Sequence, residues 1–94
     1  MVPHGVPKFL SAQKVEVDIH GMTEERARVH LERLLDRLDG SVREVTVIHG
    51  FTSGTALRDM VRARLRHPRV RAAISGVNPG VTILALQPAR FKGR

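Results

Sequence analysis

The chain has 94 residues, 41% hydrophobic and 27% charged, about the length of one small domain, which excludes a second core and an enclosed cavity for a large cofactor. It contains no Cys, Trp or Tyr, which excludes disulfides, thiolate zinc sites, Cys nucleophiles and recognition by arrays of aromatic platforms. The net charge of +7 is unevenly placed: residues 1–50 hold seven basic and eight acidic groups, residues 51–94 nine basic and one acidic. Residues 1–13 lack a sustained period and contain Pro3 and Pro7, so they are expected to be an extended arm ahead of a domain at 14–88, with a basic tail at 89–94. Val15, Val17 and Ile19 alternate with Glu16, Asp18 and His20, the period of a half-buried strand, and Gly21 ends it. Thr23 is placed to cap a helix with Glu24 and Glu25 in its first turn; Ala27, Leu31, Leu34, Leu35 and Leu38 mark its apolar stripe, and Gly40 its stop.

Glu44–Ile48 reads as a central strand buried on both faces, because apolar residues fill nearly every place. A turn-rich loop from His49 to Thr55 leads into a second helix, expected to be capped by Thr55 and to run to about Arg66 before Pro68. Leu57, Met60, Val61 and Leu65 form its inner stripe, with Arg58, Arg62 and Arg66 on the flank. Strands at Val70–Ser75 and Val81–Leu86 follow, joined by Asn78-Pro79-Gly80, a sequence suited to a type II turn. The expected fold is α/β, a single-domain two-layer sandwich in βαβαββ order, with two helices on a mixed sheet.

No apolar run reaches the ~18 residues of a membrane span, and residues 1–10 lack the apolar segment of a secretion signal. With the absence of Cys, this predicts a cytoplasmic protein without membrane contact. The basic half concentrates polyanions, of which nucleic acid is the commonest inside a cell, and eight of its nine cations are arginines, whose planar fork fits phosphate. The expected partner is DNA or RNA, held mainly by backbone contacts.

Two His-Gly pairs end successive predicted strands: Asp18-Ile19-His20-Gly21 and Ile48-His49-Gly50. If the strands are parallel neighbours, both pairs emerge at one edge, where Asp18, His20 and His49 converge. Two imidazoles and a carboxylate suit phosphodiester cleavage, as base and acid, or as ligands of one divalent metal such as Mg or Mn. The loop Gly50-Phe51-Thr52-Ser53-Gly54-Thr55 offers hydroxyls and helix-end N–H groups to a phosphate, without the Gly-Lys-Ser/Thr ending of a Walker motif.

These residues resemble the Smr (small MutS-related) domain family. Asp18-Ile19-His20-Gly21-Met22-Thr23 is similar to its Asp-Leu-His-Gly signature, and Val47-Ile48-His49-Gly50 to its second signature. The helix at Ala56–Val61 and the run Asn78-Pro79-Gly80-Val81-Thr82 fit as well, so the resemblance covers residues 15–87. It implies a sandwich like the C-terminal domain of a bacterial translation initiation factor, and the endonuclease activity on DNA or RNA known for several members. It also implies catalytic or substrate-binding roles for Asp18, His20, His49 and Gly50. One departure stands out: the family's second signature reads His-Gly-x-Gly, whereas this chain has Thr52 at the second glycine and recovers glycine only at Gly54. A Cβ there hinders close approach of backbone to phosphate, which weighs against cleavage more than against binding.

Asp18 can be a turn former, His20 and His49 can fix turns, and the arginines can be a solvated face, although acidic partners are scarce. His4, His30 and His67 join no cluster and read as surface residues. Phe51 suits either base stacking or anchorage in the core. The leading expectation is a nucleic-acid-binding Smr-like domain with weak or structure-selective endonuclease activity, carried by Asp18, His20 and His49. Its substrate contacts are expected from Gly21, the Gly50–Thr55 loop, Arg58, Arg62 and Arg66. The alternatives are a non-catalytic adaptor that brings a partner to DNA or RNA, and a small phosphate-ligand module.

Overall fold

The computed structural model describes residues 5–51 and 54–88. The elements follow as β1 (Lys8–Phe9), β2 (Lys14–Asp18), α1 (Glu24–Arg37), β3 (Glu44–Ile48), α2 (Ala56–Asp59), β4 (Val70–Ser75) and β5 (Val81–Leu86). They build one mixed sheet in the order β1-β2-β3-β5-β4. β2 and β3 are parallel, joined through α1 as a parallel pair requires, and the other neighbours are antiparallel. This is the expected mixed α/β sheet with two helices, preceded by one short strand that the sequence did not signal.

Register explains the core. Val15, Val45 and Leu84 lie side by side across β2, β3 and β5, as do Val17, Val47 and Thr82. All six are buried. Onto this face α1 sets Ala27, Leu31, Leu34 and Leu35, and the chain beyond α2 adds Met60 and Val61, all in one cluster. The opposite phase of β3, Glu44, Thr46 and Ile48, is only half-buried. The expected burial of β3 on both faces is therefore corrected: the strand is central, but both helices pack on the same side.

Local chemistry bounds α1 as expected at its start, where the Thr23 hydroxyl accepts the Arg26 N–H at 3.3 Å. Its end differs. The helix stops at Arg37, Leu38 turns to extended backbone, and the Leu38 carbonyl receives a guanidinium N–H from Arg69 at 3.2 Å, so no glycine cap is needed at Gly40.

The second helix is also shorter than predicted. α2 gives way at Met60 to a π turn over Met60–Arg64, closed by Leu65 N–H to Met60 carbonyl at 2.8 Å. Thr55 makes no side-chain bond to a backbone N–H; its hydroxyl donates instead to Asp59 at 3.0 Å. The turn at Asn78–Val81 is closed by the Val81 N–H on the Asn78 carbonyl at 3.2 Å. Gly80 is outside the positive-φ region, so the turn is not type II.

Residues of the expected arm are held on the sheet. β1 pairs with β2 through Lys8↔Glu16 and Phe9↔Val15, and the Gly5 N–H donates to the Asp18 carbonyl at 2.8 Å. The Gly5 carbonyl lies 2.5 Å from His30 Nε2. His30 is half-buried, and His67 bonds Asp36 at 2.7 Å while accepting the Arg69 N–H at 3.0 Å, so neither is a bystander on the surface. His4 and the tail at 89–94 lie outside the described residues. Among the described residues no helix is long and apolar enough to cross a membrane.

Candidate functional site

Because β2 and β3 run parallel with Asp18 beside Ile48, the two His-Gly pairs leave the sheet at one edge. A Cβ on Gly50 would lie 3.4 Å from the His20 Cβ, and Gly50 has φ +75°, a conformation that favours glycine. Together the two loops line a cleft of about 420 Å³ that takes in His20, Gly21, His49, Gly50, Phe51 and Gly54.

The two histidines differ. His20 is exposed, and its Nδ1 lies 2.6 Å from Asp18 Oδ1. The same carboxylate oxygen accepts the His20 backbone N–H at 3.0 Å, so Asp18 both shapes the turn and orients the ring. His49 is 4% exposed. Its Nδ1 faces the Gly50 carbonyl at 2.9 Å; a carbonyl only accepts, so Nδ1 carries the proton. Nε2 therefore accepts the Thr82 hydroxyl at 2.8 Å, and Thr82 in turn accepts the Arg62 Nε–H at 3.0 Å. Burial holds the His49 imidazole below its ordinary pKa, and the charges of Arg62 and Arg58 add to this, against the Gly50 hydrogen bond.

The expected pairing of His20 and His49 as base and acid is revised on this geometry. Both His49 ring nitrogens are engaged inside the protein, one on the Gly50 carbonyl and one on Thr82. Among the described residues no three His, Cys, Asp or Glu side chains are grouped to hold a metal ion. His49, with Nε2 on the Thr82 hydroxyl, is not grouped with Asp18 and His20 as the expected sharing of Mg or Mn requires.

The other expected contacts fall into three groups. Phe51, 57% exposed, rests over Gly80 rather than in the core, and Gly54 and Thr55 are exposed. Thr52 and Ser53 lie outside the described residues. Arg58 is turned to Asp59, with bonds of 3.1 and 3.2 Å, while Arg62 joins the His49 network and Arg66 stays exposed. With only four residues in α2 before the π turn, the loop does not open a long helix whose N-terminus faces a phosphate.

Residues 17–86 match the profile described as the Smr domain, three quarters of the chain and both His-Gly signatures. The chain belongs to the Smr domain family. The solved Smr domain of Thermus thermophilus MutS2 is similar to it with a TM-score of 0.69 and 29% identity, covering 78% of this chain and 98% of that one. Endonuclease MutS2 of Lactococcus lactis, in strains of the subspecies cremoris and lactis, is 30% identical over 86 residues, 85% of this chain. The chain spans 11% of the length of those relatives.

Two residues of this Smr domain that the sequence places in a turn and the strand after it, and not in the site, carry site geometry. Thr82 holds His49 and Arg62 together. Its signal is phase: 82, 84 and 86 form the inward row of β5, and a polar residue in a buried row needs a partner. Gly80 supplies the carbonyl that accepts both the His49 and Gly50 N–H groups, at 2.9 and 3.0 Å. A Cβ at Gly80 would meet the Phe51 ring at 3.2 Å and the Gly50 Cα at 3.3 Å, so a side chain there would press on both loops and require them to give by a few tenths of an ångström.

Proposed function

We propose that this Smr domain binds DNA or RNA through the phosphate backbone and cleaves phosphodiester bonds at the cleft, with His20 as the proton-transfer group and Asp18 as its orienting partner. The observation that carries the reading is the 2.6 Å His20–Asp18 pair at the mouth of a cleft shared with His49 and Gly50. A carboxylate on Nδ1–H fixes the tautomer in which Nε2 is the proton-accepting nitrogen and holds the ring in one orientation. In the step proposed, Nε2 takes the proton of the attacking hydroxyl, from water or a ribose 2′-OH. The new P–O bond forms, the bond to the leaving oxygen breaks, and the imidazolium returns its proton to that oxygen. His49 acts as a positioning residue, and Arg62 beside it supplies positive charge. The Lactococcus lactis relatives are named as endonucleases, which supports the reaction class for the segment they share with this chain.

The adaptor reading is favoured by a specific observation: with His49 engaged on both nitrogens, the cleft presents one histidine for proton transfer. Highly purified protein is incubated with branched DNA and with structured RNA, parent beside His20→Ala, with and without divalent metal. Cleavage by the parent that falls about 100-fold or more in the variant, the scale of one general acid–base group, with most binding retained, supports the nuclease. Parent protein that binds and leaves both substrates intact selects the adaptor, and a variant that cuts like the parent refutes the assignment of His20.

A further inference from the structure

A second depression, of about 240 Å³, lies between the π turn and β4, with Arg62, Arg66 and Arg71 around a floor of Val61, Leu65 and Val70. No Asp or Glu lines it. His67, also at its wall, is turned to Asp36 of α1 at 2.7 Å. Other arginines of the domain are paired. Arg28 is bound to Glu25 and Glu32, Arg58 to Asp59 and Arg64 to Glu24, whereas Arg66 and Arg71 have no ion pair or hydrogen bond among the described residues. Arg62 spends only its Nε, on Thr82.

Backbone geometry points the same way. The β4–β5 register passes from Val70↔Leu86 to Ala72↔Ala85, which leaves Arg71 as the inserted residue of a β-bulge on the edge strand. A bulge bends its strand and re-aims a side chain, and here the re-aimed residue is one of the groove's cations.

We propose that this groove seats the sugar–phosphate backbone of a single nucleic-acid strand leaving the cleft, with Arg66 and Arg71 each holding a phosphate and the apolar floor receiving the sugar. Arg62 stands at the junction, bonded through Thr82 to the His49 that lines the cleft. Guanidinium forks around apolar carbon suit an amphipathic sugar–phosphate unit better than a free anion, which would leave the floor uncovered. The proposal rests on the nucleic-acid reading above and adds a path for the nucleic-acid strand to it.

The test compares the parent, the double variant R66Q/R71Q, and Arg33→Gln on α1, outside cleft and groove, as a charge control. Affinity is measured across a salt series for single-stranded DNA and RNA of one sequence and about 12 nucleotides, a length within the usual range of single-strand sites. Each phosphate contact on a single strand contributes a log–log salt slope of about 0.7, so the double variant is expected to lose about 1.4 from the slope. Between about 50 and 200 mM salt its affinity then falls roughly sevenfold less than the parent's, while R33Q keeps the parent slope. The polymer with the larger change identifies the preferred backbone. Because Arg66 and Arg71 are exposed, thermal midpoints of both variants should match the parent. An unchanged slope in R66Q/R71Q, or an equal loss in R33Q, overturns the groove and leaves the cleft reading standing. A parent that binds neither polymer overturns the nucleic-acid reading, and the groove with it.

Discussion

His49 shows how far one side chain's environment changes its chemistry, since its neighbour signature twin, His20, faces solvent while His49 is locked between the Gly50 carbonyl and Thr82. Its pKa is lowered in the fold, first by burial, against about 6.5 in an unfolded chain. The unfolded state therefore binds more protons in the window between the two values. The stability that neutral His49 contributes is complete above about pH 6.5 and is lost as pH falls through the lower folded value. Thermal midpoints measured from neutral to mildly acid pH should fall below that point in the parent and fall less in His49→Gln; parallel curves would refute the account. Asp39 and Asp59, held low by Ser41 and Thr55, titrate below 3.8 and do not enter this window. Thr82→Val strands His49 Nε2 and Arg62 Nε together, so urea unfolding should report a loss of about 1–3 kcal/mol, which Thr82→Ser restores. Asp18, His20, His49 and Gly50 were legible in the sequence because each lies beside a strand end that alternation reveals. Thr82 and Gly80 were legible only as strand and turn residues, because their bonds to His49 and Gly50 exist only once β3 and β5 are in register.

At the scale of elements, the least legible feature is how the ends of α1 and β5 are tied. Arg69 is 7% exposed and donates to the carbonyls of Leu38, Asp39, Val42 and Gln87, at 3.2, 3.4, 2.9 and 2.8 Å. In the sequence it is one more arginine of a basic half, and nothing local separates it from Arg66 or Arg71. Its partners lie in residues 38–42 and 87, and only folding brings them to it. Arg69→Met should cost at least about 3 kcal/mol in urea unfolding, since hydrogen bonds from a charged donor are worth about 1.5–3 kcal/mol each and buried carbonyls would be left without partners. Arg69→Lys should recover only part, because an ammonium lacks the planar fork that reaches several carbonyls at once. A loss below about 1 kcal/mol for Arg69→Met would show that water replaces the guanidinium. The apolar stripe announced a helix correctly, and Met60 and Val61 are buried as that stripe requires, but no local period marks the change to a π turn at Met60.

For the whole molecule, alternation and helical stripes made the sheet and its two helices legible, whereas which face the helices share depends on packing that no local period encodes. The result is one core that also supports the cleft: Leu31 of α1, Met60 of the π turn and Ile19, next to His20, belong to a single buried cluster. A domain of this length has roughly 5–14 kcal/mol of stability to lose. Leu31→Ala, at a fully buried position, should remove about 2–5 kcal/mol, and for a small domain each kcal/mol lowers the midpoint by about 4–8 °C. The expected fall in the midpoint followed by far-UV circular dichroism is therefore roughly 8–40 °C. Because Met60 and Ile19 share that core, the proposed nucleic-acid binding should disappear at the same temperature as the helical signal, in the variant as in the parent. Binding lost well before the secondary structure would show that the cleft loops melt on their own, and a midpoint within about 4 °C of the parent's would mean that Leu31 does not hold the two layers together.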